Sequence, residues 1–220
     1  ARPVNSPAAV YQVSPHALAL FKTWGKRGWA KRLVDYRRDV KSLADRFARE
    51  REMERIPVQL GDGTEIRLSP GEHSALIRDI INEFAPRFAP GSALIYAGDT
   101  GSKMGYFDRQ RLSALGVKVD DHGKMPDVVI HDVARNWLLL VEAVTSHGPV
   151  NGKRHLELEA LFSGASAGLV FVTAFPTRPV MARYLAEIAW ESEVWVADCP
   201  SHMIHFNRDR YLGPHSSNQI

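Results

Sequence analysis

The sequence predicts an α/β fold in which a mixed β-sheet is flanked by helices and preceded by an N-terminal helical extension. Short runs of β-branched and apolar residues, "PDVVIHD", "NWLLLVEAV", "GLVFVTAF" and "SEVWVAD", read as strands. Helical segments alternate with them, giving the order helix, three strands, helix, strand, then an added helix and strand. With 220 residues and 45% hydrophobic content, the chain buries one sizeable core with a helical appendage.

The opening "ARPVNSPAAVYQVSPHA" is rich in Pro and Ala without periodicity and reads as an extended arm. From Lys31 to about Ile56, Leu33, Tyr36, Val40, Leu43 and Phe47 recur at three- and four-residue steps among charges, which predicts a long amphipathic helix with an arginine-rich polar face. "GDGTEIRL" reads as a turn and a short strand. In "SPGEHSALIRDIINEFAP", Ser69, Pro70 and Glu72 have the spacing of a capping box, so a helix is expected from about Pro70 to Phe84. "SALIYAGDTGSK" is a strand running into a glycine-containing loop, and Tyr106 to Leu115 is expected to return as helix. "KRHLELEALF" and "RPVMARYLAEIAW" are helical, no repeat is visible, and "HSSNQI" reads as a frayed tail.

Lys and Arg outnumber Asp and Glu by 28 to 25, and the isoelectric point near 9.1 permits nucleic acid as a partner without proving it. Cys199 is alone, so no internal disulfide forms. No apolar run approaches the roughly 18 residues of a membrane span. These features lead us to expect a cytoplasmic protein. The chain does not begin with Met and lacks the charged-then-apolar order of a signal peptide, so it reads as a processed or truncated piece.

Two acids carry the chemistry. If "VARN" is a hairpin loop, Asp132 faces Trp137 and Glu142 falls opposite Asp127. Directly opposed residues have Cβ atoms about 5 Å apart, so two carboxylates there repel unless one holds a proton or a cation sits between them. Oxygen ligands alone favour a hard ion such as Mg²⁺. Leu138, Leu140 and Val144 share the strand face of Glu142, where an acid needs a reason. The plainer alternative is that Glu142 meets an arginine or backbone amides while Asp127 caps its strand. With the first three strands antiparallel, the "GDTGSK" loop and the helix start at "GKR" reach the same sheet edge, bringing Lys103, Lys153, Arg154, Asp99 and His147 toward one cleft. Acids that hold an ion beside cations that stabilise charge on phosphate are what metal-assisted phosphodiester hydrolysis requires.

Pro126 and Asp127 followed by Glu142 on the next strand resemble the PD-(D/E)XK nuclease pattern, whose core has the same element order. The phrases "IPVQLGDGTEIRLSPGEH", "YAGDTGSK", "PDVV" and "EAVTSHGPVNGKR" resemble the BsuBI/PstI family of type II restriction endonucleases, from about Arg49 to "RDRYLG". That resemblance implies Mg²⁺-dependent cleavage of double-stranded DNA at a short palindrome by a homodimer. It also divides the chain: 1–60 is an arm and long helix left from or linking to an upstream helical region, 61–214 the nuclease domain, and 215–220 a tail.

In the common pattern a lysine stands two residues after the second acid, but here that residue is Val144, which carries neither charge nor donor. Lys153 at the following helix start is the first replacement, Lys103 the second and His147 the third. The expected metal ligands are Asp127, Glu142 and, from the first helix, Glu72, although capping alone explains Glu72. Arg109, Gln110 and Arg111 have base-reading chemistry, and Ser146, His147 and Arg154 are expected beside DNA. "GDTGSK" lacks the spacing of a nucleotide-binding loop, and His202 with His205 lacks the second ligand pair of a zinc site. A DNA-binding or assembly domain that keeps the nuclease fold without cutting is the second reading, and a hydrolase of RNA or single strands the third.

Overall fold

The computed structural model describes residues 13–99, 101, 105–119, 124–146 and 148–206, leaving aside the side chains of 41–44, 46, 47 and 51. The chain divides into two compact units at Met53/Glu54. In the first, helices α1 (Pro15–Phe21) and α2 (Trp29–Met53) are joined by a turn in which Trp24 and Trp29 meet edge-to-face with ring centroids 4.8 Å apart. The extended-arm reading fails at its end: Ser14 accepts from the Ala17 amide and Pro15 fills the first turn, so a helix starts there. The arm's first residues lie outside those described.

The second unit holds a hairpin, β1 (Ile56–Gln59) and β2 (Glu65–Leu68), and a seven-stranded sheet. Strands β3 (Ala93–Ala97), β4 (Tyr106–Phe107), β5 (Val128–Asp132) and β6 (Trp137–Ala143) pair antiparallel in the order β4-β3-β5-β6. Strands β7 (Gly168–Phe175) and β8 (Glu193–Val196) continue in parallel, and β9 (Met203–His205) closes the edge antiparallel. The sheet is mixed, as expected.

Helices cover both faces. Helix α3 (Glu72–Asp79) runs through a π-helical turn, Ile80–Phe84, into α4 (Ala85–Phe88). Pro86 has no N–H to donate to Asn82, so a change of register there forfeits little, and the wider turn keeps Ile80, Ile81 and Phe84 all buried. This layer and the hairpin pack on Val128, Ile130, Leu139, Val141 and Ala143. Helices α5 (Arg109–Ala114) and α6 (Gly152–Leu161) place Leu112, Leu158 and Phe162 against Val129, Leu138 and Leu140 on the opposite face. Helix α7 (Arg178–Tyr184) sets Val180, Met181 and Tyr184 against a smaller cluster of Val144, Phe175, Ile188 and Val194.

Two further expectations are corrected. The helix expected from Tyr106 begins at Arg109, because Tyr106 and Phe107 pair with β3 and Asp108 caps the helix by accepting from the Arg111 amide. The capping box does not form: α3 starts at Glu72 with Gly71 at φ 144° as its cap. Ser69 is engaged elsewhere, donating its amide (2.8 Å) and hydroxyl (2.9 Å) to the Asp99 carboxylate. That carboxylate is only 8% exposed, and a buried charge needs such partners more than the helix needs its cap.

Among the described residues, no helix is long and apolar enough to cross a membrane.

Candidate active site

The β5–β6 register brings the two acids together. Asp132 faces Trp137 and Val128 faces Val141, with Asn136 turning the chain at φ 53°, a conformation asparagine tolerates well. One step beyond the last pair, Asp127 curls back so that its Oδ2 accepts from the Ala143 amide at 2.8 Å. Glu142 lies across β6 from Thr173 of β7. The Thr173 hydroxyl accepts from the Val150 amide at 3.1 Å, which ties down the chain leading into α6.

Helix α6 is aimed by its cap, since Asn151 accepts from the Arg154 amide at 2.9 Å. With Leu158 buried, Arg154 one turn earlier faces the sheet, while Lys153 and Glu157 face outward. The Arg154 guanidinium meets Glu142 Oε1 through Nε at 2.8 Å and Nη2 at 2.7 Å. Nη2 also donates to the Lys124 and Met125 carbonyls, each at 3.1 Å. From the other face, His73 of α3 brings Nε2 to 3.2 Å from Asp127 Oδ1.

These contacts set the electrostatics. Burial first, and the neighbouring Asp127 second, push the Glu142 carboxyl up to about 7 against the pull of Arg154. The hydrogen bond to Asp127 raises His73 above the usual imidazole range although burial opposes it. Tyr96 of β3 is raised too, by burial and then by Asp127, and stays a neutral phenol at this edge.

The Glu142 shift makes a stability prediction. Its carboxyl titrates near 4.5 when unfolded and about 7 in the folded, metal-free protein, so the folded state holds a proton that the unfolded chain has released. The resulting stabilisation is complete below the lower value and is lost as pH rises through the upper one. Urea melts in EDTA are expected to show stability falling from about pH 5 to pH 8, with a shallower slope in Glu142→Gln. Equal slopes would contradict the shift.

The structure brings together Asp127, Glu142 and Arg154, and adds His73, which the sequence reading did not single out. Glu72 is exposed on the first residue of α3, and among the described residues no three His, Cys, Asp or Glu side chains cluster closely enough to hold a metal. Helical phase explains this, because His73 lies one turn before the buried Leu76 and Ile77 and so faces the acids, while Glu72 does not. Lys153 is 86% exposed and pairs with Glu157 at 3.7 Å, so it does not meet Glu142. Arg154, expected beside DNA, faces inward on protein oxygens. Arg109 lies over the Phe107 ring at 4.5 Å, and Arg111 and Gln110 lie on the same short helix. Ser146 follows β6 in the loop toward α6, while Lys103 and His147 lie outside the described residues. Helical phase from Leu158 is the signal that separates Arg154 from Lys153. The same phase marks His73, which lies one turn before the buried Leu76 and Ile77.

A mixed sheet with paired acids at the end of a central hairpin is the architecture of a restriction endonuclease. The solved structure of SdaI restriction endonuclease matches with a TM-score of 0.71 and 40% identity, over 97% of this chain and 69% of that one. The chain belongs to the BsuBI/PstI restriction endonuclease family, whose domain model matches residues 56–209, and its activity is that of a type II restriction endonuclease, a site-specific deoxyribonuclease. The type II restriction enzyme BsuBI of Bacillus subtilis is 59% identical over 214 residues, covering 97% of this chain and 68% of that protein. The type II restriction enzyme AplI of Arthrospira platensis is 28% identical over 217 residues, covering 96% of this chain and 67% of its own. The non-cleaving alternative gives way to this family membership. Type II restriction endonucleases generally use a divalent metal.

Proposed function

We propose that this endonuclease hydrolyses double-stranded DNA at a short palindrome with Mg²⁺ held by Asp127 and Glu142, acting as a homodimer whose two-fold axis matches that of its site. The observation that carries the reading is the meeting of these carboxylates at one sheet edge, where burial first and the neighbouring Asp127 second hold the Glu142 carboxyl up to about 7. The donor set fits: both side chains offer oxygen only, which suits a hard ion that keeps water and phosphate among its ligands. Bound there, Mg²⁺ would supply Lewis-acid stabilisation of charge on the phosphate.

The chain's own residues do the rest. Asp127 is oriented by the Ala143 amide and by His73, and Glu142 by Arg154. Lys153 at the exposed start of α6 and Ser146 in the loop before it are assigned to phosphate contact, as are Lys103 and His147. Arg109, Gln110 and Arg111 are assigned to base edges. The second unit serves as the catalytic domain and the helical first unit as its extension.

Incubating plasmid with the protein in Mg²⁺ or in EDTA, then sequencing the ends, tests this directly. Breaks in Mg²⁺ at one short palindromic sequence are expected, with none in EDTA and with RNA and single strands left intact. A DNA shift without breaks, or cutting in EDTA, would overturn it. Binding is also expected to weaken steeply with salt, with a log-log slope of roughly −0.9 per phosphate neutralised. A flat response in a filter-binding titration would contradict phosphate contacts by these cations.

A further inference from the structure

We infer that Arg154 is a positioning residue that supplies from helix α6 the fixed cation that strand β6 lacks at Val144, clamping Glu142 to the segment that carries Asp127. The inference rests on the assignment of these two acids as the active site.

Position 144 has no place for an ammonium group. Val144 is 1% exposed and packs in an apolar cluster with Phe175, Ile188 and Val194, where an unpaired charge is strongly disfavoured. The cation on Glu142 comes instead from ten residues further along the chain than Val144. Its side chain is 18% exposed and that of Glu142 is 15%, so the pair is largely withdrawn from water and its attraction is little screened.

Arginine is required here by geometry as well as charge. One planar guanidinium reaches Glu142 Oε1 and, at 3.1 Å each, the carbonyls of Lys124 and Met125. Only Pro126 separates Met125 from Asp127. The side chain therefore fixes one acid directly and the chain leading to the other, and so sets the spacing between them. Lysine offers a single point charge and cannot span the three acceptors. A guanidinium also keeps its proton, so Arg154 holds charge and geometry and takes no part in activating water. Its neighbour Lys153 makes none of these contacts, pairing with Glu157 at the surface.

The test uses four variants of the full chain: Arg154→Ala, Arg154→Lys, Lys153→Ala and Asp127→Asn. Steady-state cleavage in saturating Mg²⁺ gives kcat and KM, and limited trypsin digestion of the metal-free protein reports cutting after Lys124. Arg154→Ala is expected to lose about 10²-fold in kcat with KM changed less than about threefold, and to be cut after Lys124 about tenfold faster. Arg154→Lys keeps the charge near Glu142 but not both carbonyl bonds, so part of kcat returns while cutting after Lys124 stays fast. Lys153→Ala is expected to raise KM through its lost phosphate contact while the rate of cutting after Lys124 stays at the wild-type value. A change in KM alone would make Arg154 a DNA contact and overturn the clamp. So would wild-type kcat and protection in Arg154→Lys. Should Arg154→Ala fail to fold, Arg154→Lys decides. Unimpaired cleavage by Asp127→Asn would instead bring down the assignment of the acids.

Discussion

Asp127→Asn and Glu142→Gln are each expected to reduce Mg²⁺-dependent cleavage by about 10³-fold or more, because each removes a charged oxygen from a cation that stabilises the transition state. The fold should survive. Asparagine can still accept from the Ala143 amide and glutamine from Arg154, so neither variant leaves those donors without a partner. DNA affinity is expected to stay similar or rise, since each substitution removes a negative charge that repels phosphate. Cleavage rates and gel shifts in Ca²⁺ separate the two effects, and a variant that cuts at near wild-type rate would remove that residue from the site.

Restoring the familiar lysine is expected to do harm. Val144→Lys would place an ammonium among Phe175, Ile188 and Val194, with its backbone amide already engaged by the Ala174 carbonyl at 2.8 Å. An unpaired buried charge of this kind costs about 3–5 kcal/mol, so Tm is expected to fall by about 10 °C or more. Thermal melts of the metal-free protein check this before any activity is compared. Wild-type stability would mean that the lysine reaches water or Glu142, and that the strand end is looser than its packing shows.

The pairing of Asp127 with Glu142 was legible because a hairpin obeys a strict two-residue alternation. Once "VARN" is recognised as the turn, every later partner follows by counting. The strands of the second half were legible for a related reason: their apolar runs are long and bounded by helical segments. Short elements were less so. Tyr106 and Phe107 are strand only because β3 is there to pair with them, and Ser69 abandons its helix only because Asp99 is buried thirty residues away. Both outcomes are decided by tertiary contacts that a local pattern does not contain. The same limit applies at the site. Lys153 and Arg154 are adjacent in sequence and alike in charge, and only helical phase sends one outward and the other to Glu142. His73 meets Asp127 by the same phase, one turn before the buried Leu76 and Ile77.

Mn²⁺ binding to the DNA-free protein, measured by calorimetry near pH 6.5 in two buffers of different ionisation enthalpy, tests most directly whether the paired acids are a metal site. Glu142, held up to about 7, keeps its proton under those conditions, and a metal ion must displace it. Wild-type protein is expected to bind with release of a sizeable fraction of a proton per ion, and Asp127→Asn and Glu142→Gln are expected to lose binding. Wild-type affinity in both variants, with no proton released, would contradict a metal site at these carboxylates.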